Sequence, residues 1–147
     1  MIVNVRHAGI VVKDLNKMMN FYTSLGFSKE SGDIEQGNYI EQVTGLNNVK
    51  LEWVKMRSSD GFLLELLYYH EPLFNSDNID VTDPRRLGMS HIAFTVKNAY
   101  KACENIKNCG GTIINYPAVS PDNKAKVAYC YDPENVLMEI VEQIDFP

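Results

Sequence analysis

The chain has 147 residues, of which 45% are hydrophobic and 22% charged, a balance suited to a folded domain rather than a disordered one. Its net charge of −5 and the lack of any basic run beyond Arg85-Arg86 disfavour a nucleic-acid partner. No apolar run approaches the about 18 residues of a membrane span, and MIVNVRHAGIVV does not read as a secretory leader. Three cysteines without a CxxC pair fit a reducing compartment, so a cytoplasmic location is expected.

Residues 5–12 are short, apolar and β-branched and read as a strand. Asp14 follows as an N-cap, because its carboxylate can accept from the first free helix amides. Leu15, Met18, Met19 and Tyr22 then form one apolar helix face, and Gly26 stands where a left-handed C-terminal cap is needed. SKESGDI (28–34) reads as a second strand and LEWVKMR (51–57) as a third. Asp60-Gly61 is a hairpin signal that leads into FLLELLYY.

Residues 70–90, rich in Pro, Asn, Asp and Gly, read as a linker between a first module, 1–69, and a second, 91–147. The order of elements then recurs. Residues 89–96 read as a strand and Asn98 as an N-cap; Ala99, Ala102, Cys103 and Ile106 form a helix face that Gly110 closes. TIINYP and KVAYCY (126–131) read as strands, and Glu134-Asn135 turns the chain into VLMEIVE.

The recurrence is a duplication. RHAGIVVKDLNKMMNFYTSLG aligns without gaps with SHIAFTVKNAYKACENIKNCG at an offset of 84 residues, His7 matching His91. SSDGFLLELLYY aligns with DPENVLMEIVEQ at an offset of 74, Glu65 matching Glu139, so the first half carries ten extra residues in between. Two of the chain's three histidines thus share one repeat position, and two glutamates inside apolar strands share another. Leu63, Leu64, Leu66 and Leu67 flank Glu65 on both faces, and a carboxylate so placed is costly unless it is paired or binds a cation. Together His7, Glu65, His91 and Glu139 form a two-imidazole, two-carboxylate set that suits one divalent ion, Zn, Ni, Co, Mn or Fe.

Strand periodicity puts Leu63 and Leu67 on the face of Glu65, and Val11 on that of His7. A two-residue turn at Asp60-Gly61 sets Met56 opposite Glu65 and Val54 opposite Leu67. Val11, Val54, Met56, Leu63 and Leu67 are therefore expected to line a mostly apolar substrate pocket. His70 reads as a surface or linker residue, and the facing of Cys130 depends on the turn register.

HAGIVVKDLNKMMNFYTSLGF, DGFLLELLYYHEP, SHIAFTV and YDPENVLMEIVE together resemble the vicinal oxygen chelate superfamily, which includes glyoxalase I and methylmalonyl-CoA epimerase. The resemblance covers almost the whole chain. It implies an α+β fold of two tandem βαβββ modules, with mixed sheets curled into an open barrel around a metal cleft. It also implies that the first and last strands of each module supply the ligands, in the His, Glu, His, Glu order of His7, Glu65, His91 and Glu139. The implied activity is that of a lyase or isomerase that chelates adjacent oxygens of a small-molecule substrate and abstracts a proton α to a carbonyl. Glu139 or Glu65 would be the base, Glu139 favoured. A ring-cleaving Fe(II) dioxygenase and a non-catalytic antibiotic-binding protein are the alternatives on this fold. A homodimer is expected, with modules paired within one chain or swapped between two. The segment DIEQGNYIEQVTGLNNVK (33–50) and the turn Asp132-Pro133-Glu134-Asn135 depart from the pattern of glyoxalase I.

Overall fold

The structure, a computed structural model, describes residues 1–73 and 88–144. It divides into two compact units, Met1–Asp77 and Asn78–Pro147. Residues 74–87, most of the segment expected to link the modules, lie outside the described residues.

The first unit runs β1 (Ala8–Val11), α1 (Leu15–Ser24), β2 (Ser28–Gln36), α2 (Asn38–Thr44), β3 (Lys50–Arg57) and β4 (Leu63–Glu71). Asp14 caps α1 as expected, its Oδ1 accepting from Lys17 N at 2.9 Å. The strands form a mixed sheet in the order β1-β4-β3-β2, with β1 parallel to β4 and the other pairs antiparallel. Helix α1 buries Leu15, Met18, Phe21 and Tyr22 and packs on β4 and β2. Its apolar stripe meets a sheet face on which Leu64, Leu66, Val54 and Met56 are buried. Met19, expected on that stripe, is only partly covered, and Phe21 takes the place instead.

The second helix was not anticipated. It lies in the extra residues of the first half, so the first unit is βαβαββ rather than βαβββ. Ile40 of α2, Val49 and Leu51 form a small second core against Leu67 and Tyr69. These partners alternate with Leu64 and Leu66 along β4, so α2 covers one end of the face that α1 leaves open.

The second unit runs β5 (Ile92–Thr95), α3 (Ala99–Asn108), β6 (Thr112–Ile113), β7 (Ala118–Val119), β8 (Ala125–Tyr131) and β9 (Leu137–Gln143). Its sheet has the order β5-β9-β8-β6, and β7 also pairs with β8. Of the expected strand TIINYP (112–117) only Thr112–Ile113 is strand; β7 lies beyond it, after Pro117, which has no amide hydrogen to give to a ladder. Asn98 caps α3 through Lys101 N at 2.8 Å. Ala99, Cys103 and Ile106 are buried on the helix side, where α3 packs on β8 and β9. Cys130 of β8 joins them, its sulfur 3.8 Å from that of Cys103, so this cysteine faces the helix. Gly26 and Gly110 both have positive φ, 100° and 92°, as their helix-terminating positions require.

Both hairpins turn in the same way. Ser58 N donates to Phe62 O and Gly61 N to Ser58 O, each at 3.0 Å; Asp132 N donates to Val136 O at 3.0 Å and Asn135 N to Asp132 O at 3.1 Å. Gly61 (φ 93°) and Asn135 (φ 69°) occupy the left-handed position of a three-residue loop. The extra loop residue sets the register of β3 on β4: Lys55 pairs with Glu65, Met56 with Leu64, Val54 with Leu66 and Trp53 with Leu67. The expected pairings of Met56 with Glu65 and Val54 with Leu67 are therefore displaced by one residue. A shift of one residue moves a side chain to the other face of its strand.

Candidate functional site

In each unit the first and last strands are parallel neighbours at one edge of the ladder. Gly9 is level with Glu65, and Ala93 is level with Glu139. His7 and His91 stand two residues before these positions and so share a face with the glutamates. The same backbone arrangement, used twice, brings each imidazole to its carboxylate. His7 Nε2 lies 3.2 Å from Glu65 Oε2, and His91 Nε2 lies 3.2 Å from Glu139 Oε2.

That spacing suits joint ligation. An ion with bonds of about 2.1 Å to nitrogen and oxygen holds adjacent donors roughly 3.0 Å apart in octahedral and roughly 3.4 Å apart in tetrahedral coordination. The donors, imidazole nitrogen and carboxylate oxygen, also fit a divalent ion of borderline or hard preference. Among the described residues no group of three or more His, Cys, Asp or Glu side chains is placed to hold a metal ion; of the four expected ligands the structure brings together His7 with Glu65 and His91 with Glu139.

The two pairs are related by the repeat but are not equivalent. His91 Nδ1 is 3.1 Å from Ser90 Oγ. With the ring proton on Nε2 it donates to Glu139 while Nδ1 accepts from the Ser90 hydroxyl; with the proton on Nδ1, Nε2 presents the lone pair that a metal ligand needs. His7 Nδ1 is buried and without a hydrogen-bond partner among the described residues. The ring of His91 also packs at 5.2 Å against Tyr129, the residue paired with Glu139. At the matching position of the first unit stands Lys55. Its Nζ is 3.8 Å from Glu65 Oε1 and 4.6 Å from the centre of the Trp53 ring.

Of the residues expected to line a pocket, Leu63, Leu67 and Val11 share the face of Glu65. Val11 is 61% exposed, and Leu67 is partly covered by the α2 cluster. Val54 and Met56 do not belong there: they are buried on the α1 side, 2% and 0% exposed, against Leu66 and Leu64. Trp53 and Lys55 take their places. This face carries an ion pair, Lys55 with Glu65, at its centre rather than being mostly apolar, and the turn register is the signal that would have revealed it.

His70 belongs to β4, which continues through Glu71. Its Nε2 is 2.9 Å from Glu52 Oε2 and its ring packs on Tyr68 at 4.6 Å. Cys130 and Cys103 offer no nucleophile, because burial pushes both thiols up, that of Cys130 to about 12. Glu142, the second acidic residue of β9, is a structural anchor. It accepts from Lys126 Nζ and Ala99 N, each at 2.7 Å, and these contacts hold its carboxyl below the ordinary range.

Comparison with known proteins agrees with this architecture. The sequence profile of the Glyoxalase/Bleomycin resistance protein/Dioxygenase superfamily matches residues 6–131. The chain is 30% identical over 151 positions to the lactoylglutathione lyase of Schizosaccharomyces pombe, covering 93% of this chain and 46% of that protein. It thus spans about half the length of that relative. A probable lactoylglutathione lyase of Synechocystis sp. is 24% identical over 92% of each chain. Among solved structures, a glyoxalase family protein from Bacillus cereus has a TM-score of 0.90 at 22% identity, covering 99% of this chain and 97% of the other. Glyoxalase I from Zea mays has a TM-score of 0.67 at 23% identity, covering 97% of this chain and 45% of that one. Among the described residues no helix is long and apolar enough to cross a membrane. The match over most of the sequence shows that the chain belongs to the glyoxalase/bleomycin resistance protein/dioxygenase superfamily, the vicinal oxygen chelate proteins.

Proposed function

We propose that this protein is a divalent-metal-dependent lyase or isomerase of glyoxalase or epimerase type, in which His7, Glu65, His91 and Glu139 together hold one ion. The observation that carries this reading is the pair of repeat-related imidazole–carboxylate contacts, both at 3.2 Å. Two donors make a weak site, and four make the kind of set that retains zinc or a neighbouring transition metal. The pairs complete that set within one chain or across two copies of it. The names of the relatives, lactoylglutathione lyase and probable lactoylglutathione lyase, support a lyase acting on a small molecule.

A bound ion supplies Lewis-acid polarisation of a substrate carbonyl and orients two adjacent oxygens. The chain supplies the proton transfer. The carboxylate of Glu139 takes the proton from the carbon next to that carbonyl and returns it to the same carbon or to its neighbour. Glu139 suits this role better than Glu65, because Glu65 Oε1 already faces the Lys55 ammonium at 3.8 Å, whereas the uncharged Tyr129 stands at that position beside Glu139. The imidazoles of His7 and His91 stay in place as ligands. Tyr129 buttresses the second ring.

Elemental analysis of the purified protein tests the reading. About one Zn, Ni, Co, Mn or Fe per four-donor set is expected in the wild type and none in a folded Glu65→Ala/Glu139→Ala variant. A wild type that takes up no ion after incubation with these metals would sink the enzymatic reading and leave a binding protein on the same fold.

A further inference from the structure

Glu65 and Glu139 are matched by the repeat, yet their cross-strand partners differ in charge. Lys55 pairs with Glu65, and Tyr129, at the same repeat position, pairs with Glu139. The lysine is held in place. Its Nζ lies over the Trp53 ring at 4.6 Å, and the indole is itself anchored by Nε1, which donates to Glu35 Oε1 at 3.1 Å. The side chain is 31% exposed, and its ammonium lies between the indole face of Trp53 and Oε1 of Glu65.

Glu65 is flanked on its two oxygens. His7 approaches Oε2, and Lys55 approaches Oε1. In the proposed set the two charges of a divalent ion would be offset by the carboxylates of Glu65 and Glu139, which leaves the ammonium of Lys55, 3.8 Å from Glu65 Oε1, as the charge without a counter-charge of its own. A negatively charged group on a ligand placed beside Lys55 supplies that counter-charge and gains a charge-assisted contact. A neutral ligand does neither.

We propose that Lys55 is a specificity-determining residue that selects substrates whose chelating oxygens include a carboxylate, the 2-oxo acid class, over neutral ones. This rests on the proposed metal site and names the substrate class for it. Trp53 is the platform that keeps the ammonium in position, and Glu65 is the link between ammonium and ion.

Cobalt(II) provides a test that does not depend on turnover. Its uptake is measured first, by metal analysis and visible absorbance, in the wild type, Lys55→Met and Lys55→Arg. Each cobalt-loaded protein is then titrated with oxalate, an anionic chelator, and with 2,2′-bipyridine, which stays uncharged when it chelates, following the same absorbance. The expected result is that oxalate binds the wild type about tenfold more tightly than Lys55→Met, that Lys55→Arg retains most of this gain, and that 2,2′-bipyridine binds all three alike. Equal oxalate affinity in the wild type and Lys55→Met would overturn the proposal. So would an equal loss for both chelators in Lys55→Met, which would make Lys55 a support for the ion rather than a recogniser of charge. A wild type that takes up no cobalt would overturn the metal site itself, and the substrate assignment with it, before any chelator is added.

Discussion

Replacing Met56 by alanine separates the two faces of the first sheet. Met56 is 0% exposed and pairs with Leu64, which is equally buried, beneath α1. Truncating a fully buried methionine to alanine costs about 2–5 kcal/mol, the upper part of that range where the surroundings cannot collapse into the cavity. Here the neighbours are ladder-bonded strands and a capped helix, so about 3 kcal/mol is expected, which lowers Tm by roughly 6–12 °C in a chain of this size. Trp53, the only tryptophan of the chain, sits three residues away in β3 and reports the unfolding of this unit by fluorescence. A urea titration should show a lower midpoint with an unchanged slope, while cobalt uptake by the folded variant stays at the wild-type level. Lys55→Met should do the opposite, changing stability little and the chelator preference markedly. If Met56→Ala left the midpoint in place and impaired metal uptake, Met56 would stand beside Glu65, and the three-residue turn on which the site is built would be wrong.

Three further outcomes follow from separate parts of the molecule. At pH 8 a colorimetric thiol reagent should label only Cys109 in the native protein and all three cysteines after unfolding. Cys103 and Cys130 are buried and their thiols are pushed up, that of Cys130 to about 12, so two fast-reacting native thiols would contradict the packing of α3 on β8. Glu142→Gln should be less stable than the wild type at neutral pH. The Glu142 carboxyl is lowered first by Lys126 and then by the Ala99 amide, so its contribution is present above the ordinary value of 4.5 and is lost as pH falls through the depressed one. The thermal-unfolding curves of the two proteins should therefore converge in acid, and a gap that persisted there would exclude this linkage. Asn135 adopts φ 69°, so Asn135→Gly should be tolerated, whereas Asn135→Val should cost about 1–2 kcal/mol by denaturant titration; equal stability would mean that the second hairpin does not need a left-handed residue.

Much of each unit was legible because local chemistry and the repeat agreed. Asp14 and Asn98 are short acceptors placed just before apolar stripes, and both cap as their chemistry dictates. His7 with Glu65 and His91 with Glu139 were visible as pairs because the same two residue types recur at matched positions, and each pair meets at 3.2 Å. The register of β3 was not legible. Asp60-Gly61 serves a two-residue or a three-residue loop equally well as a sequence signal, and the choice is made by hydrogen bonds: Asp60 Oδ1 takes the Ser58 hydroxyl and the Phe62 amide, fixing the longer loop. Asp132 makes the analogous decision in the second hairpin by accepting from Glu134 N and Val136 N, each at 2.9 Å. One residue of loop length exchanged Met56 for Lys55 beside Glu65 and gave that carboxylate a charged neighbour in place of an apolar one.

Helix α2 was missed for a related reason. Its residues belong to the stretch that the second half lacks, so the repeat offers no second copy against which to read them. Its seven residues have only Ile40 buried, too little periodicity to announce a helix. The features hidden from the sequence are thus the unshared ones, α2 and the Lys55–Glu65 pair, and both lie on the face of the first unit that carries the candidate ligands. A duplicated chain keeps in both halves what both halves must do, which here is to present one imidazole and one carboxylate. What distinguishes one substrate from another acts on an asymmetric molecule and is free to reside in one half alone. The imidazole–carboxylate pairs were therefore readable from the repeat, while the Lys55–Glu65 contact, on which the proposed choice of substrate rests, lies where the two halves have diverged.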